Sequence, residues 1–376
     1  ALCCSSKTLI RVTKAAFSEL LSPCGEGCCG IVIFITFSNV CHFVSKLAPY
    51  RKAPNAYLVV IMQGVTDNTL MKLLFLTQPL DVKEDSNLAL LTTAAIAAGV
   101  DVAWGHVDQL SLVAGEVLTR GQSLVSPQSF HSDLNADQAL VCHDFDLVWL
   151  LSLGKRNSFL DKIQLLKILE TRTRVINSTD ALLYLRSKYG LTQLGDLFQH
   201  PKTFASNQAE TFIEIIERGG EWILKPAAGS LGQGIFLLNK KTHDYPGLIR
   251  YLLGQNADHY LLLQEHIPDI DRGEKRVLMA AGHLIGAYLC RQDTDHRTNL
   301  MQGGQAERTT LSEAEQALAL KLGAYCSELG AEFIGIDLVY PYVIEVNVIN
   351  PGGLGTLMSL GEANQARAVI QAILQT

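Results

Sequence analysis

The sequence is poor in charge of either sign and has no basic excess: 18% of its residues are charged and the formal balance is -6. A surface built to hold nucleic-acid phosphates is therefore not expected. The chain lacks tandem repeats and low-complexity tracts. It also lacks a membrane-length apolar run, since the stretch from Ile31 to Phe37 falls well short of the ~20 residues a bilayer demands. That stretch makes a poor secretory signal too, because it begins late and no small-residue cleavage site follows it. Cysteine is almost missing from the body of the chain. Of nine cysteines, Cys3, Cys4, Cys24, Cys28, Cys29 and Cys41 lie at the start, leaving Cys142, Cys290 and Cys326 scattered. The body then has no disulfide framework, and a reducing, cytoplasmic setting is expected. The Cys24–Cys29 cluster has no second ligand pair at a matching spacing, which argues against zinc. Residues 1–70 are expected to be upstream sequence foreign to the body or a poorly ordered extension, with the body starting at Met71.

What is present suits a globular enzyme. Nearly half of the 376 residues are apolar, enough for two or three domains. From Met71 the pattern alternates. An apolar strand is followed by a helix that Ser86 or Asn87 can cap and Gly99 can end. Further strands are expected at Val100–Trp104, within 139–151 and at Arg174–Asn177, with a helix within Phe159–Glu170. Such alternation implies a parallel α/β layer. Beyond it lie a helix from Asp180 that carries Lys188, a strand from Pro201 and an amphipathic helix over 208–218.

Polar residues at the ends of apolar strands carry the chemical signal. Lys225 closes one such strand, and Gly229, Ser230, Gly232 and Gly234 follow before another begins. Glycines let backbone N–H groups approach phosphate oxygens, and the lysine adds a point charge. No Gly-Lys-Ser/Thr opens a helix afterwards, so this is not a Walker A loop, and the strand after it excludes a dinucleotide fingerprint. An unliganded Gly-rich hairpin is the plain alternative. The next strand ends in Gln264, Glu265, His266 and Ile267. After it, Glu274–Arg291 reads as a hairpin turning near Gly282, with Arg276 and Arg291 near its open end, where both guanidiniums can face one anion. Residues 292–306 have the composition of a mobile lid. Ser312 and Glu315 form a capping box opening a helix that ends near Gly330. Last comes an apolar hairpin around Tyr340-Pro341. Its second strand puts Glu345 and Asn347 on one face, within reach of Asp337 on the first. Two carboxylates and an amide oxygen converging there would repel unless a cation lay between them, and hard oxygens suit Mg²⁺.

This ordered set resembles the ATP-grasp superfamily, and within it the bacterial glutathione synthetases, over residues 71–376. Lys275-Arg276, Arg291, Arg297 to Asn299, Gly303-Gly304 and Glu345 to Asn347 look like that family's signature segments. The resemblance implies an α/β ATP-grasp fold, with a Rossmann-like (pre-ATP-grasp) domain over 71–187 and an ATP-grasp domain over 188–376. The latter would comprise a lid subdomain near 200–260 and a catalytic subdomain near 261–376. It implies that Lys188, Lys225, Glu274, Asn299 and the Gly229–Gly234 loop hold ATP, and that the backbone of Gln264, Glu265, His266 and Ile267 holds adenine. Asp337, Glu345 and Asn347 would bind Mg²⁺, with Mn²⁺ as the alternative ion. Arg276, Arg291 and Lys225 would serve catalysis, joining γ-glutamylcysteine to glycine in a cytoplasmic homo-oligomer with no nucleic-acid or membrane partner. A ligase of another acid or amine, or a non-catalytic ATP-binding regulator, are the alternatives. Two segments depart from the family pattern: Ser152 to Asn157 replaces an Arg-Lys-Asp-Pro-Pro segment, and Ile349-Asn-Pro351-Gly-Gly stands where Thr-Ser-Pro-Thr is usual.

Overall fold

In the computed structural model the chain divides into two compact units, Ala1–Leu70 and Met71–Thr376. The structure describes residues 31–35, 58–62, 70–78, 83–124, 138–227, 234–254, 259–291 and 304–375. In the first unit, β1 (Ile31–Ile35) and β2 (Leu58–Met62) pair in parallel. The six early cysteines lie outside the described residues.

The second unit opens with a seven-stranded sheet. Its strands are β3 (Lys72–Thr77), β4 (Asp101–His106), β5 (Ser111–Val113), β6 (Glu116–Leu124), β7 (Gln138–Val141), β8 (Leu147–Leu150) and β9 (Arg174–Ile176). Four of them, in the order β4-β3-β8-β9, are parallel. Helices α1 (Asn87–Ala97) and α2 (Phe159–Leu169) belong to this layer. Ser86 caps α1 by accepting from the Ala89 N–H, and Gly99 follows its end at φ +80°. The expected wholly parallel layer needs correction at one edge, because β6 runs antiparallel to β4, β5 and β7. The β5–β6 hairpin turns through Ala114 and Gly115, both at positive φ. Alanine is a weak turn signal, since its Cβ disfavours that conformation.

Helix α3 (Thr179–Leu185) leads into a second sheet, ordered β10 (Thr203–Ser206), β13 (Leu261–Glu265), β11 (Trp222–Pro226), β12 (Phe236–Leu238). Helices α4 (Ala209–Glu217) and α5 (Tyr245–Leu253) complete this lobe. Because β13 pairs with both β10 and β11, the sheet extends to Glu265, past the boundary expected near 260. The third sheet is ordered β16 (Gln305–Arg308), β15 (His283–Arg291), β14 (Glu274–Ala280), β17 (Phe333–Val339), β18 (Tyr342–Asn347). Gln305 and Ala306, expected within a lid, are edge-strand residues; 292–303 lie outside the described residues. Helix α6 (Glu313–Glu328) carries the capping box that Ser312 and Glu315 announce. Two helices not expected from the sequence, α7 (Leu354–Ser359) and α8 (Ala366–Leu374), end the chain.

Packing joins the first and third sheets. One apolar cluster combines Leu74, Leu76 and Val148 with Val277, Ile334 and Ile336; another combines Leu73, Phe75 and Trp149 with Leu278, Phe333 and Ile370. Trp149 lies 5.5 Å from both Phe75 and Phe333, ring centre to ring centre. The second sheet has its own cluster, built from residues between Ala209 and Leu263.

One polar residue fastens the first sheet to the third. Asn177, buried just past β9, donates to the carbonyls of Phe333 (2.9 Å) and Val348 (2.6 Å) and accepts from the Phe333 N–H (3.0 Å). An Asn177→Leu replacement strands three buried backbone groups. It should cost about 3 kcal/mol or more, measured as a lowered urea midpoint; an unchanged midpoint would refute the role.

Candidate active site

The register of the third sheet lines up the site. Arg276 stands directly across from Asp337, and Asp337 directly across from Glu345. Asn347, two residues beyond Glu345 and opposite Gly335, lies on the same face. The convergence expected of Asp337, Glu345 and Asn347 is therefore present, and Asn347 Nδ2 donates to Asp337 Oδ2 at 3.1 Å.

Cations balance the carboxylates. Arg276 grips both oxygens of Asp337, with Nη2 to Oδ2 at 3.0 Å, while its Nη1 donates to the Pro351 carbonyl at 2.7 Å. Lys188 Nζ lies 3.0 Å from Glu345 Oε1. Burial acts on both acids, and the outcomes diverge. Burial and the charge of Glu345 leave Asp337 above the ordinary carboxylate range despite Arg276. For Glu345 burial also pushes upward, but Lys188 and Lys225 outweigh it and hold the carboxyl low. Arg276 is disfavoured by burial and more than compensated by Asp337. Glu274, on the face of Arg276, is buried as well and adds negative potential.

Lys225 enters from the second sheet. It is buried on β11, and its Nζ donates to Gln264 Oε1 at 2.7 Å. Burial and the nearby charge of Lys188 bring its pKa down to about 8, against the pull of Glu345, Glu274 and Asp337. Two lysines, one arginine and three carboxylates thus share one buried neighbourhood.

The donor set fits a divalent metal ion. Asp337 and Glu345 offer hard oxygens on adjacent strands, and Asn347 adds an amide beside them. Among the described residues no group of three or more His, Cys, Asp or Glu clusters in a metal-holding arrangement, and beside the two carboxylates Asn347 is the neutral donor.

Other expected site residues are placed differently. Lys188 is not helical: α3 ends at Leu185, and Lys188 sits at φ +66° with its side chain turned to Glu345. Strand register does not bring Arg291 to Arg276. Glu274 pairs with Cys290 and Arg276 with Tyr288, so alternation assigns exposed Arg291 to the opposite face at the end of β15. At the expected hinge, the N–H groups of Glu265 and His266 donate to the carbonyls of Lys202 and Glu221, and Ile267 is buried. An adenine edge would thus meet those two residues through groups other than their N–H. Gly229, Ser230, Gly232 and Asn299 lie outside the described residues; Gly234 is at φ +70° against Pro226. Sequence reasoning missed Tyr288, opposite Arg276, and His200, which reaches the site through Gln264. Alternation from Cys290 could have found the first; the second shows only in three dimensions.

With this geometry in view, comparison with known proteins is informative. Residues 188–362 match the family model of the prokaryotic glutathione synthetase ATP-grasp domain. The chain has the ATP-grasp fold. A D-cycloserine synthetase structure superposes with a TM-score of 0.59 at 16% identity, covering 81% of this chain and 99% of the other. An ATP-grasp RimK domain protein from Sphaerobacter thermophilus gives 0.56 at 20% identity, with the same coverage. Among sequences, the Agrobacterium fabrum glutathione synthetase is 29% identical over 217 residues, 57% of this chain and 67% of the relative. That of Synechococcus elongatus is 26% identical over 327 residues, 81% and 99% of the two chains. The ATP-grasp match begins at Lys188 itself and contains both Lys225 and the Asp337–Asn347 hairpin.

The lowered pKa of Lys225 has a signed consequence. Between about 8 and the ordinary 10.5 the unfolded chain holds a proton that the folded chain has released, so stability rises with pH through that window. Relative to Lys225→Met, the wild type should gain in urea midpoint from pH 8 to pH 10. A difference independent of pH would refute the lowered value.

Proposed function

We propose that this protein of ATP-grasp fold is an ATP-dependent carboxylate–amine ligase, and specifically a glutathione synthetase joining γ-glutamylcysteine to glycine. The observation that carries the reading is the aligned row Arg276–Asp337–Glu345, with Lys188 and Lys225 converging on it. A protein that only sensed a nucleotide would gain nothing from packing so many opposed charges, each expensive to bury, into one place.

The chemistry follows from the electrophile. A carboxylate is unreactive toward amines, so its oxygen first takes the terminal phosphoryl group of ATP, with ADP leaving. The amine then attacks the acyl carbon, phosphate departs with the C–O electrons, and the ammonium proton passes to solvent. Lys188 and Lys225 would hold phosphate oxygens, and for Lys188 this means leaving Glu345. Asp337, Glu345 and Asn347 would hold Mg²⁺, which when bound neutralises charge on the transferring phosphoryl group. Arg276, fixed by Asp337 and the Pro351 carbonyl, is oriented before substrate arrives, and such preorganisation makes electrostatic stabilisation effective. The Gly229–Gly234 loop and the lid would exclude water from the acyl phosphate.

A second reading, a ligase of the same type for another acid or amine, is favoured by one observation. The segment that departs from the family after Asn347 touches the site: the Pro351 carbonyl accepts from Arg276, and Asn350 is bonded to Asn87 at 2.9 Å. A change there alters what lies beside the reacting carboxylate.

Two measurements test these statements. ADP release by the purified chain with Mg-ATP, γ-glutamylcysteine and glycine should need all three, and glutathione should appear. Release with a different pair only would select the second reading. Glu345→Gln should fold normally yet lose about 100-fold in turnover, and near wild-type turnover would remove Glu345 from the mechanism.

A further inference from the structure

We propose that His200 is a positioning residue for Lys225, acting through the side-chain amide of Gln264. The inference rests on the ATP-ligase reading, in which Lys225 holds phosphate.

His200 lies in the segment leading into β10, half-buried between two sheets. Its Nδ1 is 2.8 Å from the carbonyl of Val343 on β18. A carbonyl only accepts, so Nδ1 carries the proton and, in the neutral ring, Nε2 is an acceptor. Gln264 Nε2 lies 3.3 Å from that Nε2 and 3.0 Å from Thr203 Oγ1. The Thr203 hydroxyl donates to the Pro201 carbonyl at 2.8 Å, leaving its oxygen free to accept. Both Gln264 amide hydrogens are thereby used, and Oε1 is turned toward Lys225 Nζ, 2.7 Å away.

With the Thr203 hydroxyl directed to Pro201, its shorter contact, each amide hydrogen of Gln264 has an acceptor. A flipped Gln264 would point its NH₂ group at an ammonium. Protonated His200 no longer accepts from Gln264 and instead competes with it for Thr203 Oγ1, 3.3 Å from Nε2, so the amide loses an anchor that holds Oε1 toward Lys225. The charged group facing His200 is Lys225 on β11; β13 presents uncharged Gln264, β18 the Val343 carbonyl, and its own segment Phe198 and Thr203. Burial, with the charge of Lys225, keeps His200 below its ordinary pKa against the pull of the Val343 carbonyl. The acceptor form is thus the resting form at neutral pH. His200 also connects the two sides of the site, since its ring bonds the hairpin that carries Glu345 and the strand that receives Lys225.

The experiment is calorimetric binding of Mg-ATP and of adenosine to the full chain, for wild type, His200→Asn, Gln264→Met and the double variant, between pH 5.5 and 8. Asparagine can keep the bond to Val343 while losing the Nε2 acceptor. At pH 7.5, His200→Asn should weaken Mg-ATP about tenfold, the worth of one hydrogen bond to a charged group, and leave adenosine unchanged. The variant-to-wild-type ratio should shrink toward one as the pH falls and wild-type His200 takes up its proton. In the Gln264→Met background the histidine change should add nothing. Equal loss for adenosine and Mg-ATP, a ratio independent of pH, or additive effects would overturn the proposal and leave the ligase reading intact. A wild type that binds no Mg-ATP would overturn both.

Discussion

Two carboxylates facing each other across adjacent strands, one buried and the other only partly exposed, cannot both be charged at low cost unless positive groups surround them. Asp337 and Glu345 impose that condition, and much of the molecule answers it. Arg276 comes from the strand on one side, Lys188 from a left-handed residue after α3, and Lys225 from a different sheet. The three cations come from three places in the chain, so the balance exists only when all three parts are folded together.

Each carboxylate has a cation partner of its own, and the arginine is held at both ends. The asymmetry between the acids matters here. Burial and the charge of Glu345 push Asp337 upward, whereas Lys188 and Lys225 hold Glu345 low.

Much of this was legible in the sequence, for a reason of geometry. Period-2 alternation placed Glu345 with Asn347, and the short hairpin brought Asp337 within reach; both follow from local chain rules. Capping gave the ends of α1 and α6. What failed to show depends on contacts distant in sequence or on weak local signals. The helical pattern around Asp180 suggested that Lys188 was helical, yet the helix stops three residues earlier and tertiary contact with Glu345 sets the backbone. The matched position of Arg276 and Arg291 near one hairpin end concealed that alternation separates them. Helices α7 and α8 and the antiparallel edge at β6 were missed because Ala-Gly and Gly-Gly are weak guides to a turn or a helix start. His200 has no sequence signature at all; its partners lie 64 and 143 residues away.

The lobe between β10 and β13 has a private apolar core, whereas the first and third sheets share theirs. A body with its own core can rotate without repacking its neighbour, so the contacts crossing the divide carry the resistance to motion. The His200 ring, bonded to Val343 on one side and Gln264 on the other, is such a contact, and it is polar. Polar contacts reform at new angles more readily than interlocked side chains do. The small lobe therefore holds its shape through contacts of its own, independent of the core that the first and third sheets share.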